Sequence, residues 1–291
     1  MRLARYRIEG RQALGVIEDD SVIDLSGAFP DLASVEQVIE KGERGLDAVR
    51  DFCCRRPADF ALAEVELLQP ILSAGKYLAI GLNYRSHAEE ARFMVSQPAA
   101  RQYWFNKQIT CLSGPFAEID PGVSKQVDYE VELGVVIGKP AKGVSAASAL
   151  DFVFGYFVAN DVSARDWQAH APSFTVGKSF DTHGPIGPWI VTADEIGDPQ
   201  ALDLKCWVNG ELRQSSNTSE MLYTVAEQIE YLSTAFTLMP GDLLATGTPE
   251  GVGMARQPPE YLKPGDVVRC EVQGIGAIEN RIGPGTDKRI R

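Results

Sequence analysis

Period-two alternation of apolar and polar residues dominates the chain. In VDYEVELGVVIG, residues 127–138, Tyr129, Val131, Leu133 and Val135 alternate with Asp128, Glu130 and Glu132. That is the pattern of a strand with one apolar face. Runs rich in β-branched and aromatic residues, bounded by Gly, Pro, Asn or Asp, recur at RLARYRIEG, QALGVIEDDSVIDLS, KYLAIGLNY, VFGYFVANDVSA, GPWIVTADEI, LKCWVNGELRQ, DLLATGTP and DVVRCEVQGIGAIEN, and these read as strands. Helical spacing is confined to LASVEQVIEKGERGLDAVRDFCCRR, with an interruption at Gly42, to roughly 84–97 after GLN, and to MLYTVAEQIEYLSTAFT. Many strands and few helices predict a mainly β, α+β architecture and not a doubly wound sheet. Residues 1–70 read as a small N-terminal β-rich domain. LLQPILSAGK reads as the connection to a larger domain over 71–291.

Composition narrows the partners. The 291 residues carry 28 Lys and Arg against 40 Asp and Glu, a formal charge of −12. Nucleic acid and anionic membrane surfaces, which need a basic patch, are therefore not expected partners. No stretch approaches the ~20 apolar residues of a membrane span, and MRLARYRIEG does not read as a signal peptide. The cysteines, Cys53, Cys54, Cys111, Cys206 and Cys270, are odd in number and form neither a CxxC pair nor a disulfide framework, which predicts a reduced, cytoplasmic setting.

The carboxylates are the first candidate chemistry. Side chains on one strand face repeat at ~6.5–7 Å, so Glu130 and Glu132 can both reach one cation. A solvated strand face explains the stretch equally well. Asp161 shifts the balance, because it ends the apolar run GYFVAN, where sheet gives way to loop. Glu130, Glu132 and Asp161 would form an oxygen-only set suited to Mg2+, Mn2+ or Ca2+ and not to Zn2+. In GLNYRSHAEEARF, His87 and Glu90 stand at i, i+3. A carboxylate beside an imidazole fixes its tautomer and raises its basicity, as a general base on water requires, although a plain solvated helix also carries such pairs. Lys178 in TVGKSFDTHGP is either an oxyanion stabiliser or an exposed loop lysine. Gly247, Thr248 and Gly251 make a loop able to bind a carboxylate through backbone N–H groups. His170 and His183 read as loop residues.

These motifs occur in one order over residues 81–268: GLNYRSHAEE, DYEVELGVVIG, GYFVANDVSARDWQ, GKSFDTHGPIGPWIV, VNGELRQSSNTSEM, YLSTAFTLMPGDLLATGTPEGVG and LKPGDVV. Together they strongly resemble the fumarylacetoacetate hydrolase superfamily. The resemblance implies a mixed β-sandwich roll, commonly a homodimer, with a Mg2+ or Mn2+ site at Glu130, Glu132 and Asp161. It implies that His87 and Glu90 form a water-activating pair on a lid. It further implies that Lys178, Gln168 and Thr248 contact substrate or the nascent oxyanion, with Gly247 and Tyr84 on the substrate side, and that Arg165 and Asp166 lie behind the metal. Animal fumarylacetoacetases complete the metal site with a further acid. No acid upstream of His87 matches it, so the resemblance is to the acylpyruvase-like branch.

The expected activity is hydrolysis of the C3–C4 bond of a 2,4-dioxo acid, giving pyruvate and a carboxylic acid. Oxaloacetate decarboxylation, isomerisation or dehydration of a 2-oxo acid, and non-catalytic ligand binding are the alternatives. Phe93, Met94, Tyr103, Trp104 and Phe105 either shape an acyl pocket or pack the lid, and packing is expected of most. FNKQITCLSGP resembles members acting on 2,4-dioxo-3-deoxy sugar acids and members of aromatic catabolic routes, and the sugar acids are the preferred expectation.

Overall fold

The computed structural model describes residues 1–54, 56–90 and 101–285. Numbering strands of three residues or more and helices of six or more, the elements run β1 (Arg2–Ile8), β2 (Arg11–Glu18), β3 (Ser21–Asp24), α1 (Val35–Cys53), β4 (Tyr77–Gly81), α2 (Arg85–Glu90), β5 (Tyr103–Lys107), β6 (Val131–Ile137), β7 (Val153–Asn160), β8 (Gly184–Thr192), β9 (Asp203–Val208), β10 (Glu211–Asn217), α3 (Val225–Ala235), β11 (Leu243–Ala245), β12 (Val267–Val272) and β13 (Gly276–Arg281). The protein is mainly β, with mixed sheets. The large sheet runs β3-β2-β1-β8-β7-β6-β11-β4-β5, and the smaller one β10-β9-β12-β13. Only β11 with β4 is parallel along the large sheet's path, with Leu243 opposite Tyr77. β1 pairs with β8 through Arg2–Val191 and Leu3–Ile190, so the first seventy residues extend the same sheet.

Two apolar layers cover the two faces of the large sheet. Val131, Leu133 and Val135 of β6 pack with Leu204, Cys206, Val268 and Ile229 of the small sheet and α3. Val136, Phe157 and Ile190 pack on the other face with Leu14, Val35 and Val38 of β2 and α1. β7 (VFGYFVAN) is buried along its whole length, which is why its sequence is apolar without alternation. α1 opens on a Ser34–Gln37 capping box and kinks at Gly42, where φ is 60°. The predicted interruption is thus a kink between two helical stretches. α3 begins at a Thr224–Glu227 capping box.

Of the helix expected over roughly 84–97, Arg85–Glu90 is helical. Residues 91–97, including Phe93 and Met94, lie outside the described residues. Tyr103–Lys107, read from sequence as part of the lid and its following segment, is a strand paired with β4 in the register Tyr77–Lys107. The reason is packing: the edge of β4 offers a partner, and Phe105 fills the core.

Candidate active site

The site forms where β6 begins and β7 ends. Antiparallel pairing sets Val131 opposite Asn160 and Glu132 opposite Ala159, so Asp161 must emerge beside the two glutamates. The Asp161 N–H donates to the Glu130 carbonyl at 2.9 Å, and the Glu130 N–H donates to the Asn160 side-chain oxygen at 3.0 Å. The three carboxylates are buried, and one oxygen from each lies within 4.8 Å of the others.

Three cations surround them. Lys178 Nζ donates to Glu130 Oε2 at 2.8 Å and to Asp161 Oδ2 at 2.7 Å. Lys107 Nζ donates to Asp161 Oδ1 at 2.5 Å and to the carbonyls of Lys178 and His183 at 2.5 and 3.0 Å. Arg165 Nη2 lies 2.7 Å from Glu130 Oε1, while its Nε donates to Asp128 Oδ2 at 2.9 Å. Burial opposes ionisation of Glu130, but Lys178 and Arg165 outweigh it and hold the carboxyl well below the usual range. Burial likewise opposes the Lys107 ammonium, and Asp161 overrides it, raising that group. Glu132 differs. Burial, then Asp161 and Glu130, push its carboxyl well above the usual range, and no lysine or arginine among the described residues forms an ion pair with it. Its Oε2 accepts the Gly247 N–H at 2.8 Å. A buried, all-oxygen cluster with one carboxylate lacking a counter-ion fits a hard divalent cation.

A cavity opens beside the cluster. His87, Glu130, Arg165, Gln168, Lys178 and Thr248 line its polar side. The His87 Nδ1 lies 3.2 Å from Glu90 Oε2, which leaves Nε2 as the other ring nitrogen. Glu90 in turn accepts the Gly251 N–H at 3.0 Å, and Ser86 donates to Glu250. The start of the predicted lid is therefore tied to the 247–254 loop. Gln168 Oε1 accepts from Arg165 at 3.0 Å, and Thr248 Oγ1 accepts from Gln214 at 2.8 Å.

Several residues stand elsewhere than the sequence suggested. The 247–254 loop does present its N–H groups to carboxylates, but to this chain's own: Gly247 to Glu132, Gly251 to Glu90, and Gly253 and Met254 to Asp128 at 2.7 and 3.0 Å. Gly247, expected on the substrate side, has its N–H committed. Tyr84 is fully buried with an unpartnered hydroxyl and does not line the cavity. Asp166 does not lie behind the carboxylates; it accepts from the Ser124 hydroxyl at 2.6 Å and the Lys125 N–H at 3.0 Å, because the short helix Arg165–Gln168 turns it toward that loop. His170 rests against the Trp167 ring. His183 is buried, and burial, then Lys107, lower its pKa to about 3. Sequence reasoning missed Lys107 and left Asp128 unassigned. Asp128, with Arg165 and two loop N–H groups on it, ties Arg165 to the 253–254 loop. The only signal for Lys107 was a lysine closing the aromatic run YWFNK.

The fold and the site together define a class: a mixed β-roll with a buried oxygen-only cluster that reaches a cavity through Glu130, with His87 of the His–Glu pair on the same cavity. The Fumarylacetoacetate (FAA) hydrolase C-terminal family matches residues 76–283, and the Rv2993c-like, N-terminal family matches residues 1–70. The chain belongs to the fumarylacetoacetate hydrolase superfamily. It is 41% identical over 264 residues to the mitochondrial oxaloacetate tautomerase of Rattus norvegicus, covering 90% of this chain and 83% of the relative. It is similar to maleylpyruvate hydrolase from Sphingobium sp. SYK-6, solved with manganese(II) and pyruvate, at a TM-score of 0.81 and 31% identity over 98% of this chain and 100% of that one. It is also similar to a 5-carboxymethyl-2-hydroxymuconate delta-isomerase from Mycobacterium smegmatis, at a TM-score of 0.76 and 36% identity over 97% and 98% of the two chains. Among the described residues, no helix is long and apolar enough to cross a membrane.

Proposed function

We propose that this protein hydrolyses the C3–C4 bond of a 2,4-dioxo acid to pyruvate and a carboxylic acid, with Mg2+ or Mn2+ held by Glu130, Glu132 and Asp161. The observation that carries the reading is the His87–Glu90 pair on the same cavity as Glu130, Lys178 and Gln168. The bound cation supplies Lewis-acid polarisation of the 2-oxo acid head. With Nδ1–H directed at Glu90, His87 Nε2 removes a proton from water as the oxygen attacks C4. Lys178 and Gln168 stabilise the negative charge that develops on the C4 oxygen. Cleavage leaves its electron pair on C3 of the pyruvate fragment, and the His87 proton returns to that carbon. General-base catalysis of this kind contributes ~10²–10⁴-fold, and an oxyanion donor ~10²–10³-fold.

A second reading is proton transfer on a 2-oxo acid without a water nucleophile, as isomerisation or tautomerisation. The tautomerase and the isomerase among the similar proteins favour it, and the same His87–Glu90 pair serves it. Oxaloacetate decarboxylation needs the same head group and no base. Product analysis separates these. Acetylpyruvate should give acetate plus pyruvate, and oxaloacetate should give no CO2 above background. His87→Ala should lower hydrolysis by at least about 10²-fold with Mn2+ affinity unchanged by calorimetry. Unchanged turnover in that variant would remove His87 as the base.

A further inference from the structure

Six non-glycine residues among those described have φ in the left-handed range: Glu9, Asp19, Leu82, Phe174, Thr182 and Asn209. Glu9 and Asp19 sit in the turns after β1 and β2, and Asn209 in the turn between β9 and β10. Tight hairpin turns ask for that backbone. Thr182 anchors its loop through Oγ1, which accepts the Asp120 N–H at 2.8 Å. Neither circumstance applies to Leu82 (φ 58°) or Phe174 (φ 58°). They are large and apolar, for which this backbone is strained, and neither has a polar side chain to offset the strain. Both line the cavity, together with Ile80, Phe105 and Met254. The Phe174 ring stands 6.0 Å from Phe105 and 5.3 Å from Tyr103, centroid to centroid. Backbone strain kept at a cavity wall points to a ligand contact.

The two sides of the cavity differ in chemistry. On the polar side, Arg165 and Lys178 are already bound to Glu130, Asp128 and Asp161. The third N–H of Lys178 is the one the C4 oxygen takes in the proposed reaction, so neither side chain is left over for a second carboxylate on the substrate. On the apolar side, a hydroxyl or carboxylate would give up its water without replacement. We propose that Leu82 and Phe174 are specificity determinants that select a 2-oxo acid with a short apolar group beyond the reacting carbonyl and reject hydroxylated and carboxylated tails. This rests on the reading of the site as one for 2-oxo acid heads. It reverses the preference for sugar acids drawn from the FNKQITCLSGP run.

The test is a matched ligand series measured by calorimetric binding to the Mn2+-loaded protein and, separately, by turnover. The ligands are 2,4-dioxo acids bearing methyl, ethyl, propyl, hydroxymethyl or carboxymethyl on C4. Affinity should rise about fourfold for each methylene that enters the cavity, and hydroxymethyl should bind ten- to about a hundredfold more weakly than ethyl. Leu82→Asn and Phe174→Asn keep the left-handed backbone, which asparagine adopts readily, while making the wall polar. They should compress the series to within about threefold and leave Mn2+ affinity unchanged. A flat or reversed order in the wild-type protein, or an unaltered order in both folded variants, overturns the proposal. If the variants fail to fold, the wild-type series decides alone. An ordered binding series without cleavage of any member tells against the hydrolase reading and leaves this subsite standing; cleavage with no order does the opposite.

Discussion

Lys107 shows how much one side chain can organise. Its ammonium is fully buried and binds one oxygen of Asp161 and two backbone carbonyls from the 178–183 segment. It therefore fixes a candidate metal ligand and the segment that delivers Lys178. Lys107→Met should cost about 1–3 kcal/mol, because Asp161 loses one of its two ammonium partners, keeping Lys178, and two buried carbonyls lose their donor. The measurement is the urea midpoint, and added Mn2+ should restore part of the loss, since the cation also answers Asp161. Nothing in the string YWFNK separates such a lysine from an exposed strand terminus, because its burial depends on which strand β5 pairs with. Glu130, Glu132 and Asp161 were legible for the opposite reason. The period-two rule puts the glutamates on one face, and an acid ending an apolar strand stands out locally. The left-handed backbone of Leu82 and Phe174 leaves no trace in residue type at all.

The strands that hold the carboxylates are packed without slack. Gly134 of β6 faces Phe157 of β7 in register, and a Cβ on Gly134 would lie 2.2 Å from the Phe157 ring. Gly134→Ala should therefore destabilise the protein by about 1–3 kcal/mol through overpacking, seen as a lower melting temperature. It should also weaken Mn2+ binding, because Glu132 lies two residues earlier on the same strand. A melting temperature equal to wild type would mean that β6 and β7 can separate freely. Elements of this kind were readable from alternation and from β-branched runs. β5 was not, since its pattern is aromatic without clean alternation, and its strand state comes from the edge of β4. The ends of α3 were readable only loosely: the helical spacing of MLYTVAEQIEYLSTAFT begins before the Thr224 cap.

At the scale of the molecule, the first seventy residues share a sheet and a core layer with the site-bearing part. β1 continues the large sheet at β8, and Leu14, Val35 and Val38 share a core layer with Phe157 and Ile190. A fragment of residues 71–291 should be aggregated or unfolded where the full chain is folded, as size exclusion and a thermal melt would report. A folded, Mn2+-binding fragment would contradict this. The 247–254 loop has a different kind of consequence. Its glycines take positive φ at Gly247 (101°) and Gly251 (100°), and a Cβ there would meet Asn83 at 2.6 Å and the Arg213 carbonyl at 2.0 Å. The amides of Gly247, Gly251 and Gly253 are hydrogen-bonded to three carboxylates of different roles, Glu132, Glu90 and Asp128 respectively. The loop is thus a three-channel spectroscopic gauge. In a Mg2+ titration followed by amide NMR, the Gly247 resonance should move with cation occupancy by more than those of Gly251 and Gly253, because only its acceptor, Glu132, is a proposed ligand of the cation; equal shifts at all three would remove Glu132 from the ligand set.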